Sequence, residues 1–156
     1  MKTVYLVLHN VRSVLNVGSI FRTADAAGVK KIYLCGYTPI PKKSGRRLGN
    51  DRIKKTSLGA ERTVQWEYVP QTHRLLDYLR RDGIHTVALE QSSRSVDYRQ
   101  YRAKFPVALV VGNEVRGLSP VLIKKCESAI EIPMHGWKES LNVSVAVGIA
   151  LYKLIE

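Results

Sequence analysis

Short runs of apolar and β-branched residues alternate along this chain with longer stretches of helical spacing. The strand-like runs are TVYLVL (3–8), KIYLCG (31–36), TVQWEYV (63–69), HTVALEQ (85–91), PVALVVG (106–112) and AIEIPM (129–134). Between most of them, apolar residues recurring every three to four positions predict helices over 16–27, 71–82, 119–126 and 141–155. Such alternation predicts an α/β fold, with a mostly parallel sheet flanked by helices on both faces. A length of 156 residues predicts one domain spanning residues 1–156. Ser119 followed by Pro120 is a helix start, because the hydroxyl can accept from an orphan amide and proline suits the first helical position. The final segment, LNVSVAVGIALYKLI, is apolar almost all the way round, so it must be buried on more than one face or packed against another subunit. A homodimer is the simplest cover for it.

One stretch breaks the pattern. TPIPKKSGRRLGNDRIKKTSLGAE (38–61) is rich in proline, glycine and basic residues and has little periodicity, which reads as a long, mobile functional loop. Between residues 42 and 55, Lys42, Lys43, Arg46, Arg47, Arg52, Lys54 and Lys55 stand against one acid, Asp51, and supply half of the net charge of +12. That charge, with a pI near 9.9, does not describe a neutral metabolic enzyme. A basic loop can be merely solvated, but cations this dense with glycines between them suit a flexible clamp on phosphates. Nearby aromatics, Tyr37 and Trp66, are too sparse to argue base stacking. No apolar run approaches the ~18 residues of a membrane span, and MKTVYLVLHN alternates like a strand, so a cytoplasmic protein is expected. Cys35, Cys126 and the four histidines lack metal-ligand spacing or triad logic. The cysteines read as core thiols, and no metal is expected.

Three stretches could carry chemistry. Projected at 100° per residue from Asn16, Val17, Ile20, Phe21, Ala24, Ala27 and Gly28 share one sector, while Ser19, Arg22 and Asp25 lie opposite. Arg22 thus faces away from the sheet, either paired with Asp25 on the surface or aimed at a partner. Asn16 is placed at the helix N-cap, with small Gly18 permitting close approach of a backbone or ligand. The turn GNEVRGLS (112–119) nearly matches a phosphate-binding loop, but Leu118 stands where lysine is required and Glu114 adds negative charge. A glycine turn at the carboxyl end of a strand is still a place where α/β sheets bind ligands, and an acidic one suits a cation. In the third stretch, Ser140 and Asn142 begin the last helix, where Ser140 could simply be its N-cap.

Taken together and in order, NVGSIFRTA (16–24), VVGNEVRGLS (110–119) and IPMHGWKESLNVSVAVGIALY (132–152) resemble the three motifs of the SpoU (TrmH-like) RNA ribose methyltransferases of the SPOUT superfamily. The likeness runs from about residue 7 to the end. It implies a carboxyl-terminal deep trefoil knot, S-adenosyl-L-methionine (AdoMet) bound within it, and an obligate homodimer with its active site at the interface. Carried onto this chain, it implies catalytic roles for Asn16, Arg22, Glu114, Ser140 and Asn142. It implies a cofactor pocket around Leu89, Glu90, Gly112, Asn113, Ile132, Met134, Ser140 and Leu141. The expected reaction is methyl transfer to a ribose 2′-hydroxyl of RNA, with tRNA placed ahead of rRNA. A silent RNA-binding relative and a nucleotide-phosphate enzyme are the alternatives.

Overall fold

The computed structural model describes residues 2–156. Its strands are β1 (Val4–His9), β2 (Lys31–Cys35), β3 (Gln65–Val69), β4 (His85–Leu89), β5 (Val96–Asp97), β6 (Val107–Val111) and β7 (Ser128–Glu131). All pair in parallel, in the order β3-β2-β1-β6-β4-β7-β5. The central strands are apolar at consecutive positions because both faces are covered: every residue of β6 is buried, as are Leu6, Val7 and Leu8 of β1. Leu6 lies between Leu109 of β6 and Ile32 of β2 in register.

The helices are α1 (Val14–Ala26), α2 (Lys54–Ser57), α3 (Ala60–Thr63), α4 (Thr72–Arg81), α5 (Pro120–Lys125) and α6 (Val143–Ile155). On one face, Val17, Ile20, Phe21 and Ala24 of α1 join Val147, Ala150 and Leu151 of α6 over Leu6, Leu34 and Leu109. On the other, Leu75, Leu76 and Leu79 of α4 meet Leu122 and Ile123 of α5 over Val7, Tyr33 and Val110. Cys35 and Cys126 are buried in this second cluster, and burial pushes both thiols up to about 12, which leaves them core residues.

Two expected helix starts are corrected. Ser13, not Asn16, caps α1, its hydroxyl accepting from the Asn16 amide at 3.2 Å. Asn142, not Ser140, caps α6, its Oδ1 accepting from the Ser144 amide at 2.9 Å. Ser119 and Pro120 open α5 as expected.

The basic segment is also corrected, since it is not one mobile loop. A 3-10 turn (Asp51–Ile53), α2 and α3 occupy its second half, with Ile53, Ser57 and Ala60 buried. Only Lys42–Gly49 is continuously exposed. Gly18 explains the docking: a Cβ there would stand 2.0 Å from Thr56 Oγ1 and 2.4 Å from the Ile53 carbonyl. The expected close approach at Gly18 is therefore that of another backbone. Thr56 adds a hydrogen bond from Oγ1 to the Leu15 carbonyl at 2.8 Å.

Leaving β1, the chain turns toward β2, whereas leaving β6 it turns toward β7. The switch point of the sheet therefore falls between β1 and β6, and ligands of open α/β sheets bind at the carboxyl ends beside such a point.

Gly18→Ala should destabilise the protein by about 1–3 kcal/mol, because a carbonyl cannot yield as a flexible side chain can. Urea unfolding with an unchanged slope would read this as a lowered midpoint. A wild-type midpoint would show that α2 moves off α1 without cost.

Candidate active site

A cleft enclosing about 760 Å³, including its open mouth, lies at the carboxyl ends of β4, β6 and β7. Every residue expected around the cofactor lines it: Leu89, Glu90, Gly112, Asn113, Ile132, Met134, Ser140 and Leu141. Glu114 joins them, as do Gln91, Val143 and Ala146, which sequence reasoning did not single out and which no motif marks.

The turn after β6 is folded on itself. A Cβ on Gly112 would lie 2.4 Å from the Gly117 carbonyl carbon, and Gly117 is left-handed (φ +61°), where a Cβ would strike the Glu90 carboxylate. Most of the turn's amides already have partners. Asn113 Oδ1 accepts from Val115 and Arg116 at 2.9 Å each, and the Asn113 carbonyl accepts from Gly117 at 2.8 Å. Glu90 accepts from Leu118 and Gln91 at 2.9 Å each, which buckles the loop after β4 to the loop after β6. A phosphate-cradling loop needs those donors free, so this turn does not support the nucleotide-phosphate reading.

Other donors remain open to a ligand. Among the described residues, no protein acceptor meets the amides of Gly112, Ile132, Met134 or Leu141. They stand on a cleft walled by Leu89, Val111, Ile132, Leu141 and Val143. Apolar walls with a few convergent backbone donors suit a planar heterocycle and ribose, so the residues present fit a nucleoside cofactor.

Glu114 closes one end. Its carboxylate accepts from the amides of Arg12 and Ser13 at 2.9 Å each and from Asn16 Nδ2 at 3.2 Å. Asn16 Oδ1 in turn accepts from Asn142 Nδ2 at 3.1 Å. One hydrogen-bonded chain thus joins the three motif stretches, and it exists because Asn16 lies inside the first turn of α1 with its side chain free. Partial burial would push the Glu114 carboxyl up, but the Arg12 and Ser13 amides, its own amide and Asn16 together hold it below its usual range. Asn142 Oδ1 also takes the Ser144 amide and hydroxyl. Ser140 is exposed on the cleft, and among the described residues its hydroxyl has no hydrogen-bond partner.

Arg22 is not brought into this cleft. It lies exposed on the outer face of α1, as the projection predicts. The surface pair with Asp25 is absent among the described residues, where Asp25 accepts instead from Thr63 Oγ1 at 2.6 Å. In the basic segment, Lys42 and Lys54 share Asp51 at 3.3 and 3.9 Å, and Lys43 sits 4.8 Å from the Trp66 ring centroid. Arg46, Arg47, Arg52 and Lys55 are exposed and, among the described residues, make no ion pair.

Among the described residues, no group of three or more His, Cys, Asp or Glu side chains could hold a metal ion, and no helix is long and apolar enough to cross a membrane. The profile of the SpoU rRNA Methylase family matches residues 3–152. The chain is 39% identical over 145 residues to the tRNA (guanosine(18)-2'-O)-methyltransferase of Aquifex aeolicus, covering 92% of this chain and 64% of that one. It is 35% identical over 150 residues to a provisionally named TrmH family tRNA/rRNA methyltransferase of Bacillus subtilis, covering 96% of this chain and 57% of the relative. The AdoMet-bound rRNA methyltransferase of Sinorhizobium meliloti superposes with a TM-score of 0.86 at 32% identity, over 97% of this chain and 55% of that one. The chain therefore spans somewhat more than half the length of these relatives. With the profile running through all three motifs and the whole sheet shared with a solved relative, this chain belongs to the SpoU rRNA methylase family.

Proposed function

We propose that this chain is an AdoMet-dependent RNA 2′-O-ribose methyltransferase that works as a homodimer, on tRNA in preference to rRNA. The observation that carries the proposal is the hydrogen-bonded chain Glu114–Asn16–Asn142, which ties the first motif to the other two beside a cleft that they line and that fits a nucleoside. The relative that acts on guanosine 18 of tRNA, at 39% identity, supports the tRNA preference.

Leu89, Val111, Ile132 and Leu141 would hold AdoMet by its flat apolar surfaces, and the amides of Gly112, Ile132, Met134 and Leu141 by its polar edges. Bound there, AdoMet supplies an electrophilic methyl group on a sulfonium. The deep trefoil knot implied by the family belongs to the same proposal, and the family match over residues 3–152 supports it.

The remaining work is to place the ribose and move its proton. Arg22 cannot act as a base, because a guanidinium stays charged to above pH ~12. It suits a clamp on the phosphate beside the target ribose, which stabilises the alkoxide as it develops. Since Arg22 lies outside its own cleft, it would serve the cleft of the other subunit. Leu15 on α1, with Val145 and Tyr152 on α6, stands 43–53% exposed on these helices and supplies an apolar face for that pairing. Asn142 and Glu114 are occupied by their own hydrogen bonds, so both serve as positioning residues. Ser140, free and on the cleft, suits a relay that passes the proton on to the substrate phosphate or to solvent.

Incubation with labelled AdoMet and undermodified tRNA or rRNA, followed by mass spectrometry of nucleosides, should give a 2′-O-methylated ribose, and a base-methylated product would overturn the assignment. Arg22→Ala should cut transfer about 100-fold or more while leaving AdoMet affinity nearly unchanged. Loss of AdoMet binding would instead place Arg22 in the cofactor pocket.

Glu114→Gln should cost about 1–2 kcal/mol of stability near neutral pH, discounted for its solvent exposure. Because the folded carboxyl titrates below its ordinary value of 4.5, its contribution is complete above that pH and fades as pH falls through the lowered value. The gap between wild type and variant in denaturant unfolding should therefore narrow below about pH 4.5, and a constant gap would remove the carboxylate from this role.

Neutralising Lys42, Lys43, Arg46 and Arg47 together should weaken RNA binding and reduce its salt dependence by about 0.7–0.9 log units per lost phosphate contact. An unchanged slope would clear this segment of RNA contact.

A further inference from the structure

A second cleft lies at the opposite end of the sheet, where Lys31 starts β2 and Gln65 starts β3. Trp66 forms its floor, half-buried with its body packed against the main core. Lys31, Lys42, Lys43, Lys54 and Arg62 stand around it against only two acids, Asp51 and Glu61. Those acids are overcommitted. Asp51 is shared by Lys42 and Lys54, while Glu61 serves Arg62 at 3.6 Å as well as the Ser57 hydroxyl. Lys31 has its own partner in Glu67, at 2.6 Å.

We infer that this cleft takes one unpaired nucleotide of the RNA, its base stacked on Trp66 where the Lys43 ammonium now lies and its phosphate held by Lys42 and Lys54. The inference rests on the reading above only for RNA as the partner. Three observations carry it. An aromatic ring backed by the core is a rigid platform, and stacking on such a platform tolerates any base. Its open face is covered by one ammonium from an exposed segment, a contact that a planar base can replace. Exposed ion pairs like those to Asp51 are weak and readily exchanged for phosphate. Duplex RNA shows only backbone and groove edges, so it has no base face to lay on the ring. The cleft therefore distinguishes a loop or bulge from a helix, and it shares no lining residue with the candidate active site of the same chain.

The chain has two tryptophans, and the other, Trp137, is fully exposed, so Trp137→Phe leaves Trp66 as the sole indole reporter. That protein, without AdoMet, is titrated with a short single-stranded oligoadenylate and with duplex RNA of equal length. Trp66 emission should be quenched saturably by the single strand and not by the duplex. Adding Trp66→Ala should weaken single-strand binding, followed through a dye on the RNA, by about 5- to 150-fold, with Trp66→Phe retaining most of it. Circular dichroism and AdoMet binding establish that each variant is folded. Equal quenching by duplex, binding without quenching, or an unweakened folded Trp66→Ala protein would each overturn the inference. The titration scores no methyl transfer, so its failure leaves the methyltransferase reading standing. Failure of methyl transfer would likewise leave a Trp66 quench unexplained by anything but RNA at this cleft.

Discussion

The Glu114 carboxylate takes the amides of Arg12 and Ser13 and the side chain of Asn16, and through Asn16 it reaches Asn142. This network joins the stretch after β1 and the start of α1 to the turn after β6, 102 residues on from Arg12, and to the cap of α6, 126 residues on from Asn16. Backbone donors at the start of a helix are orphans with a positive field, so a carboxylate set there is stabilised. The reverse also holds, since the helix start is fixed on the strand that carries the carboxylate. Because β1 and β6 are neighbours in register, the sheet itself delivers Glu114 to α1. The candidate site can form only when the central pair of strands has formed.

Around that tie, the loops are built by close backbone contact. Gly112 against Gly117, and Gly117 against Glu90, let two turns crowd at the carboxyl ends of β4 and β6 with most of the β6 turn's amides already matched. What remains unmatched faces the cleft. Gly18 does similar work on α1, admitting the backbone of the basic segment. The charges of that segment are thus carried on a partly rigid platform, with Lys42–Gly49 projecting from it. Rigid support under exposed cations lowers the ordering cost of holding a phosphate backbone.

The apolar surface has its own logic. α6 buries Val147, Ala150, Leu151 and Leu154 in its own subunit yet exposes Val145 and Tyr152. Nearly continuous apolarity in that helix exceeds what one subunit covers. Arg22 shares the outer surface of α1, so a pairing that covers these apolar residues would also carry a guanidinium across to another cleft.

Periodicity alone determined much of this protein: six of the seven strands, the helices packed on them, the start at Ser119 and the outward direction of Arg22. These follow from local rules, because strand and helix spacing and capping chemistry act within a few residues. The second and third motifs likewise marked residues that gather on one cleft, to which Asn16 of the first is tied through Glu114 and Asn142. The sequence did not show that Asn16 is inside α1 and not its cap, that half of the basic segment is helical and docked through Gly18, or that Trp66 floors a basic cleft. Each depends on groups far apart in the chain being brought within hydrogen-bonding or van der Waals distance. Residue spacing encodes which way a side chain points, and only the assembled sheet decides what it meets there.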